Sequence, residues 1–198
     1  EFNCTFVPAN WVEITGMLSV GNYVWDSNAK GYFYNQLGQP LTKALNGTIA
    51  SGVLAEDHAW GVLNQKGIKV GGSAQTTAAI GATFRPFKGW SVGVDWKVAA
   101  NNYSDYSVSA PSANTVINIA EPWRIPWGNQ FDVNASYRFD IGGIQATLSG
   151  NIHNLFNYYY VVDAWSNSAG RATWDNENLY GVFYNFGRTY AMKLRINF

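Results

Sequence analysis

The chain has 198 residues, 13% of them charged and 16% aromatic, with 20 glycines and equal numbers of acidic and basic side chains. Typical soluble domains carry about 25% charged residues, and no run here approaches the roughly 18 apolar residues that a membrane helix needs. The balanced charge argues against nucleic acid or an anionic surface as partner; few charges, many aromatics and no hydrophobic run point instead to a β-barrel whose lipid face is built from alternate residues.

Glu1 to Val7 reads as the tail of a strand, stopped by the turn Pro8-Ala9-Asn10. Cys4 is the only cysteine, so an internal disulfide is excluded. Glu1-Phe2-Asn3 lacks the small apolar run of a lipid-attachment site, and Cys4 is expected to be a packed, inert thiol. No signal peptide opens the chain, so an outer-membrane protein would have lost one or would begin before Glu1. From Trp11 a long alternating segment sets Val12, Ile14, Gly16, Leu18 and Val20 against Glu13, Thr15 and Ser19, ending near Tyr23 and Trp25. Successive side chains on a strand face opposite ways, so this period of two predicts a strand with one apolar face.

Asp26 to about His58 has no clean period and is predicted to be a long loop, with Gly31-Tyr32-Phe33-Tyr34 as a small hairpin arm. Trp60 to Val70 is weakly patterned and is assigned to an outer extension of the next strand, Ser73 to Phe84. After the short turn Arg85-Pro86-Phe87-Lys88-Gly89, Trp90 to about Ala100 sets Trp90, Val92, Val94, Trp96 and Val98 against Ser91, Gly93, Asp95 and Lys97. Asn101 to Asn129 is a second long loop. Phe131, Val133, Ala135, Tyr137 and Phe139 then alternate with polar residues up to Asp140. A tight turn at Gly142-Gly143 follows, and Ile144 to His153 alternates again. Asn157 to Leu179 is a third long loop, and the last strand is expected from about Gly181, with Tyr190, Met192, Leu194, Ile196 and Phe198 on its apolar face.

Short turns and long loops therefore alternate, as in outer-membrane barrels with tight periplasmic turns and long extracellular loops. The charges support the face assignment: Asp95, Lys97, Asp132, Arg138, Asp140, Lys193 and Arg195 all fall on the non-apolar set. Arg188 has apolar parity, but ten residues before the end it would stand roughly 26 Å higher, at the edge of the apolar band. Trp11, Trp90 and Phe198 near the short turns, and Trp25, Phe156, Tyr184 and Phe186 near the loops, have the positions of two aromatic girdles. The expected fold is all-β, an antiparallel transmembrane β-barrel segment with long extracellular loops. Six whole strands and a stub are too few to close a bacterial barrel, which needs at least eight; residues 1–198 are expected to be the C-terminal part of a larger barrel.

The last third also resembles the C-terminal strands of TonB-dependent receptors of Gram-negative outer membranes. The carriers are Asn134 to Phe139, Ser149 to Tyr160 with Asn154-Leu155-Phe156-Asn157 at its centre, Gly187-Arg188-Thr189-Tyr190, and the strand ending in Phe198. Gly71 to Trp96 has the look of Bacteroidetes receptors of this kind. The resemblance implies a barrel of about 22 strands whose plug domain and N-terminal strands are not in this sequence. It implies import of a scarce ligand (siderophore, cobalamin, metal or glycan), with energy from the TonB complex. Outer-membrane lipid, the barrel-assembly machinery and a surface lipoprotein are the other partners it implies. Tyr190, Leu194, Ile196 and Phe198 match the family's barrel-assembly signal.

No catalytic constellation stands out, and neither an enzyme nor a cofactor is expected. Ser149 and His153 are about 13 Å apart along a strand, too far for a hydrolase pair. His153 faces inward near the outer end of its strand, where it could touch a ligand or make a structural hydrogen bond. His58, after Glu56 and Asp57, fits a metal site or a solvated acidic loop tip; we prefer the tip. The loop aromatics Tyr32, Tyr34, Tyr103, Tyr106, Trp123, Trp127, Trp165 and Trp174 could stack on a glycan, chelate or cobalamin-like ligand, or pack loop on loop. Two other classes fit part of the pattern. One is a small self-closing outer-membrane barrel acting as a pore or adhesin. The other is a secreted β-sandwich binding carbohydrate through exposed tryptophans, which leaves the charge exclusion unexplained.

Overall fold

The period of two that runs through the sequence becomes one sheet. In the computed structural model, which describes residues 1–34, 37–41, 58–108, 115–167, 170 and 172–197, seven strands lie side by side in chain order. They are β1 (Phe2–Ala9), β2 (Val12–Val20), β5 (Thr76–Phe84), β6 (Trp90–Ala100), β11 (Gly128–Ile141), β12 (Ile144–His153) and β15 (Thr189–Asn197). Each neighbouring pair is antiparallel. The protein is all-β, with 64% of the described residues in strand and no helix among them. The sheet does not close: among the described residues β1 and β15 each pair on one side only.

Register carries alternate residues into rows that cross every strand. Phe6, Ile14, Ala82, Val94, Val133, Ile152 and Tyr190 form one such row. One residue along each strand, Thr15, Gly81, Asp95 and Asp132 form a row on the opposite face. The result is one apolar face and one polar face. The apolar face is uncovered, with Ile80, Trp90, Leu148, Met192 and Leu194 exposed. Cys4 lies on it opposite Gly16 and is exposed rather than packed, because it sits on the edge strand with its side chain pointing away from the polar face.

The tight turns follow their local chemistry. Gly142 and Gly143 have φ of 57° and 88° between the paired Ile141 and Ile144, the two-residue hairpin that suits right-twisted strands. The first turn differs from expectation. β1 continues through Pro8 to Ala9 and the chain reverses at Asn10 and Trp11, with the register shifting between Phe6 and Ala9. A proline on an edge strand costs no ladder hydrogen bond and is accommodated by such an irregularity.

The connections are not structureless. The first and second share a sheet of β3 (Ala29–Tyr32), β4 (Trp60–Asn64) and β9 (Thr115–Asn118), in which β4 and β9 are parallel. Trp60 therefore begins a strand of this outer sheet and not an extension of β5; Gly31-Tyr32 pairs with Trp60-Gly61, while Tyr34 bridges Pro40 and the Phe33 carbonyl accepts the Leu41 N–H in a local antiparallel reversal. Within the second connection β7 (Asn102–Tyr103) pairs with β10 (Arg124–Ile125). The second and third connections are joined by β8 (Asp105–Ser107), which runs parallel to β13 (Val161–Asn167), itself paired with β14 (Leu179–Tyr184).

Because Leu179–Tyr184 belongs to that outer sheet, the last strand starts at Thr189 and not near Gly181. The break falls at residues 185–188, where Asn185 N–H is taken by the Tyr160 carbonyl and Arg188 N–H by Asn157 Oδ1. Gly187 permits this crossing, since a Cβ there would strike the Tyr159 hydroxyl. Most of the best-buried apolar residues lie in the connections, with Ile125, Val161 and Ala164 forming a small core under Trp123, Leu179 and Val182.

Candidate functional site

The polar face carries its densest cluster where β6, β11 and β12 meet the outer connections. Asp132 is its centre, with a side chain only 7% exposed. Its Oδ2 accepts from Lys97 Nζ at 2.8 Å and lies 3.4 Å from His153 Nδ1. Its Oδ1 accepts from Gln130 Nε2 at 2.7 Å and from the backbone N–H of Asn154 at 2.9 Å. Asp95 stands opposite Asp132 across the β6–β11 pair, so two carboxylates share this face with Lys97. His153 Nε2 is 2.7 Å from the Asn151 side-chain amide.

With both oxygens doubly engaged, Asp132 is a junction between strands rather than a poised base. Lys97 and His153, both about half exposed, are the groups left to meet a polar or anionic ligand. A recess of about 390 Å³ adjoins His153, lined also by Gln130, Asn154, Tyr184, Phe186 and Thr189. Lys97 and Asp132 entered the sequence reading only as charges of the right parity. Their meeting follows from register across residues 35 apart, and the one legible signal was an acid and a base on the same face of adjacent strands.

Asn154-Leu155-Phe156-Asn157 closes the top of β12. Asn154 is 1% exposed with φ of 53°, and Asn157 has φ of 54°. The Asn154 side chain donates to the Tyr158 and Phe186 carbonyls and accepts from Tyr158 N–H. Asn157 Oδ1 takes the Arg188 N–H, and Arg188 Nη1 donates to the Leu155 carbonyl. Asparagine suits both positions because it tolerates the left-handed region and its amide can satisfy nearby backbone. Arg188 thus lies just before β15, with its guanidinium over the Tyr190 ring at 5.9 Å. Tyr190, Leu194 and Ile196 are on the exposed apolar face. Phe198 lies outside the described residues.

The loop aromatics separate into several places. Tyr103 is buried beneath Lys69, and Trp123 packs on the Ile125 core with its ring 5.8 Å from that of Trp174. Tyr103 and Trp123 border a groove of about 460 Å³ with Glu121, Arg124 and Thr173. Tyr106 donates to Gln65 Oε1 at 3.0 Å, tying the second connection to the first. Tyr32 meets His58 edge-on at 6.2 Å, and Lys30 lies over the Tyr32 and Trp60 rings. Tyr34, Trp127 and Trp165 are exposed. His58 is half-buried against Tyr32 rather than at a solvated tip, and its Nε2 has no hydrogen-bond partner among the described residues. Glu56 and Asp57 lie outside the described residues. Gly71 approaches the Ser104 carbonyl closely enough that a Cβ would clash, which accounts for the first glycine of its pair.

Partial desolvation of a side chain that is still exposed, and then the charge of Asp163, raises Asp105 above its ordinary 3.8. Burial also raises Tyr106, with Asp105 as the second cause. A carboxyl whose folded value is raised opposes folding while ionised, so pairing of β8 with β13 strengthens as pH falls through that raised value toward 3.8. Asp105→Asn is expected to remove this pH dependence and to slow amide exchange in β13 at neutral pH. Exchange in Trp165–Asn167 that is unchanged or faster in the variant would contradict it.

Comparison of the chain with protein-family models, with curated proteins and with solved structures gives no match.

Proposed function

We propose that this chain is the C-terminal part of the barrel of a TonB-dependent outer-membrane receptor, which binds a scarce ligand on its loop side and imports it. The observation that carries the reading is the continuous apolar face. In water, contiguous exposed apolar patches above a few hundred Å² are uncommon on a monomer, whereas hydrocarbon is the natural solvent for a face from which every strand charge is excluded. The opposite face, with Lys97, Asp132 and His153, then lines the lumen.

The turn built by Asn154 to Asn157 and its bond to Arg188 give the family resemblance a physical content: these residues lock the start of the last strand to the end of the one before it. A small self-closing barrel would pair β1 with β15, and a β-sandwich would cover the apolar face with a second sheet. The larger barrel would continue β1 and β15 with further strands. Its partners are then outer-membrane lipid, a plug and the TonB complex.

Cell fractionation tests this directly. The complete protein should sediment with outer membranes, require detergent for extraction and migrate faster on unboiled gels. Uptake of its ligand should stop when the proton-motive force is collapsed. Recovery in the soluble fraction without detergent would remove the reading.

A further inference from the structure

The groove of about 460 Å³ between the second and third connections is separate from the Asp132 cluster. Its aromatic walls are Tyr103 and Trp123, and among the described residues its charged lining groups are Glu121 and Arg124. Both are exposed, yet they form no ion pair with each other. The Glu121 carboxylate accepts no hydrogen bond from a described residue. Arg124 donates through Nη2 to Asn101 Oδ1, which leaves Nε and Nη1 free. An unpaired acid and an unpaired base therefore share one open groove.

The walls are held in place before any ligand arrives. Arg124 pairs with Tyr103 across β7 and β10, and the Trp123 N–H is taken by Ser104 Oγ at 3.0 Å. Trp174 is 57% exposed with its ring 5.8 Å from that of Trp123. Its turn is fixed by the Thr173 N–H donating to Asn176 Oδ1 at 3.0 Å and by Thr173 Oγ1 donating to Asp175 Oδ1 at 3.3 Å. Lys69, over the Tyr103 ring, donates to Asn22 Oδ1 and does not line the groove.

We infer that this groove takes a short peptide with both termini free, its ammonium at Glu121, its carboxylate at Arg124 and an apolar side chain against Trp123 and Trp174. The inference rests on the receptor reading and names the class of ligand. Charge decides between classes, because a charged group covered by a ligand without an opposite charge loses water and gains no partner. An anionic ligand would meet Glu121, a cationic one would meet Arg124, and an uncharged glycan would cover both without compensation. A zwitterion supplies each with its opposite, and the guanidinium edge left free can take a carboxylate at two points. Size points the same way. Glu121 and Arg124 are three positions apart, a backbone span of at most about 11 Å. That suits the two ends of a short peptide better than the adjacent charges of a single amino acid. The aromatic rings offer a large apolar contact to the side chain between those ends.

The test incubates the complete protein, in mild detergent, with a random tripeptide library whose termini are free, and with the same library N-acetylated or C-amidated. Peptides that stay with the protein through gel filtration are counted by mass spectrometry. Free-terminus peptides should be retained about tenfold or more over either blocked form, the worth of one charge-assisted contact. Glu121→Gln should remove the discrimination against N-acetylation and keep that against amidation; Arg124→Gln should do the reverse. Trp174→Ala should lower the enrichment of apolar residues severalfold. Retention should also fall as pH rises past about 8, where the α-ammonium loses its proton.

Three results would overturn the proposal: equal retention of free and blocked libraries, retention unchanged in both charge variants, or retention of maltotriose or xylotriose in place of peptides. A protein recovered without detergent would defeat the receptor reading itself. A membrane-embedded protein that retains no free-terminus peptide would defeat only this proposal.

Discussion

Val94→Arg is expected to destabilise the protein in a bilayer by about 2–4 kcal/mol, the cost of an arginine on the lipid face of a barrel near the midplane. Val94 sits in the middle of the apolar rows, between Ala82 and Val133, with no nearby edge to which a guanidinium could reach. At about 1.4 kcal/mol per tenfold, the folded-to-unfolded ratio falls roughly 30-fold to several-hundred-fold. Thr83→Arg, one row away on the polar face and opposite Glu13, should change stability by less than about 0.5 kcal/mol. Urea unfolding of the complete protein in lipid vesicles measures both. In a water-soluble protein the order would not hold, because Val94 is 36% exposed and arginine on a wet surface is nearly neutral. Equal effects from the two variants would therefore exclude a lipid-facing Val94.

Asn154→Ala is the second large effect, about 3 kcal/mol. The substitution removes one donor group serving two carbonyls and one acceptor serving the Tyr158 N–H, all at a residue that is 1% exposed. Each buried group left unsatisfied costs about 1–3 kcal/mol, partly relieved where water can enter. Alanine also pays for φ of 53°, which Asn154→Gly would not, so glycine should cost about 1 kcal/mol less. Asp132→Ala should cost about 1–2 kcal/mol, because Lys97 and His153 can turn to water while the Asn154 N–H cannot. The double variant should cost less than the sum, since the Asn154 N–H to Asp132 bond ties the two sites together. Denaturant unfolding of the four variants checks the order; strict additivity would mean that turn and junction act separately.

Where one period governs a segment, the sequence was readable. β6 and β12 span the residues their alternation predicts, and the charges of four strands fall on one face because that face is set by parity alone. The outer sheets were not readable for a different reason. β4 with β9 and β8 with β13 are short parallel pairs between segments far apart in the chain, and nothing local marks such a partner. The final strand was drawn too long because the aromatic stretch before Gly187 continues its apolar character. Only the hydrogen bonds of Asn157 and Tyr160 reveal the break. Among the candidate site residues, His153 and the Asn154 turn were visible as a polar residue of inward parity and a local motif. Asp132 became central only through register. Tyr103 and Trp123, named for their exposed chemistry, are used largely for packing.

Surface connections ordinarily gain and lose residues with little consequence, because each ends where it began and answers only to its own two strands. The parallel pairs β4–β9 and β8–β13 remove that freedom. A deletion between β8 and β9 would have to be matched in both neighbouring connections, or one of the two pairings would be lost. Hinge motion is restricted in the same way: the first connection cannot swing outward without breaking β4 from β9, and the third cannot without breaking β13 from β8. The three segments are therefore expected to open as one cooperative unit.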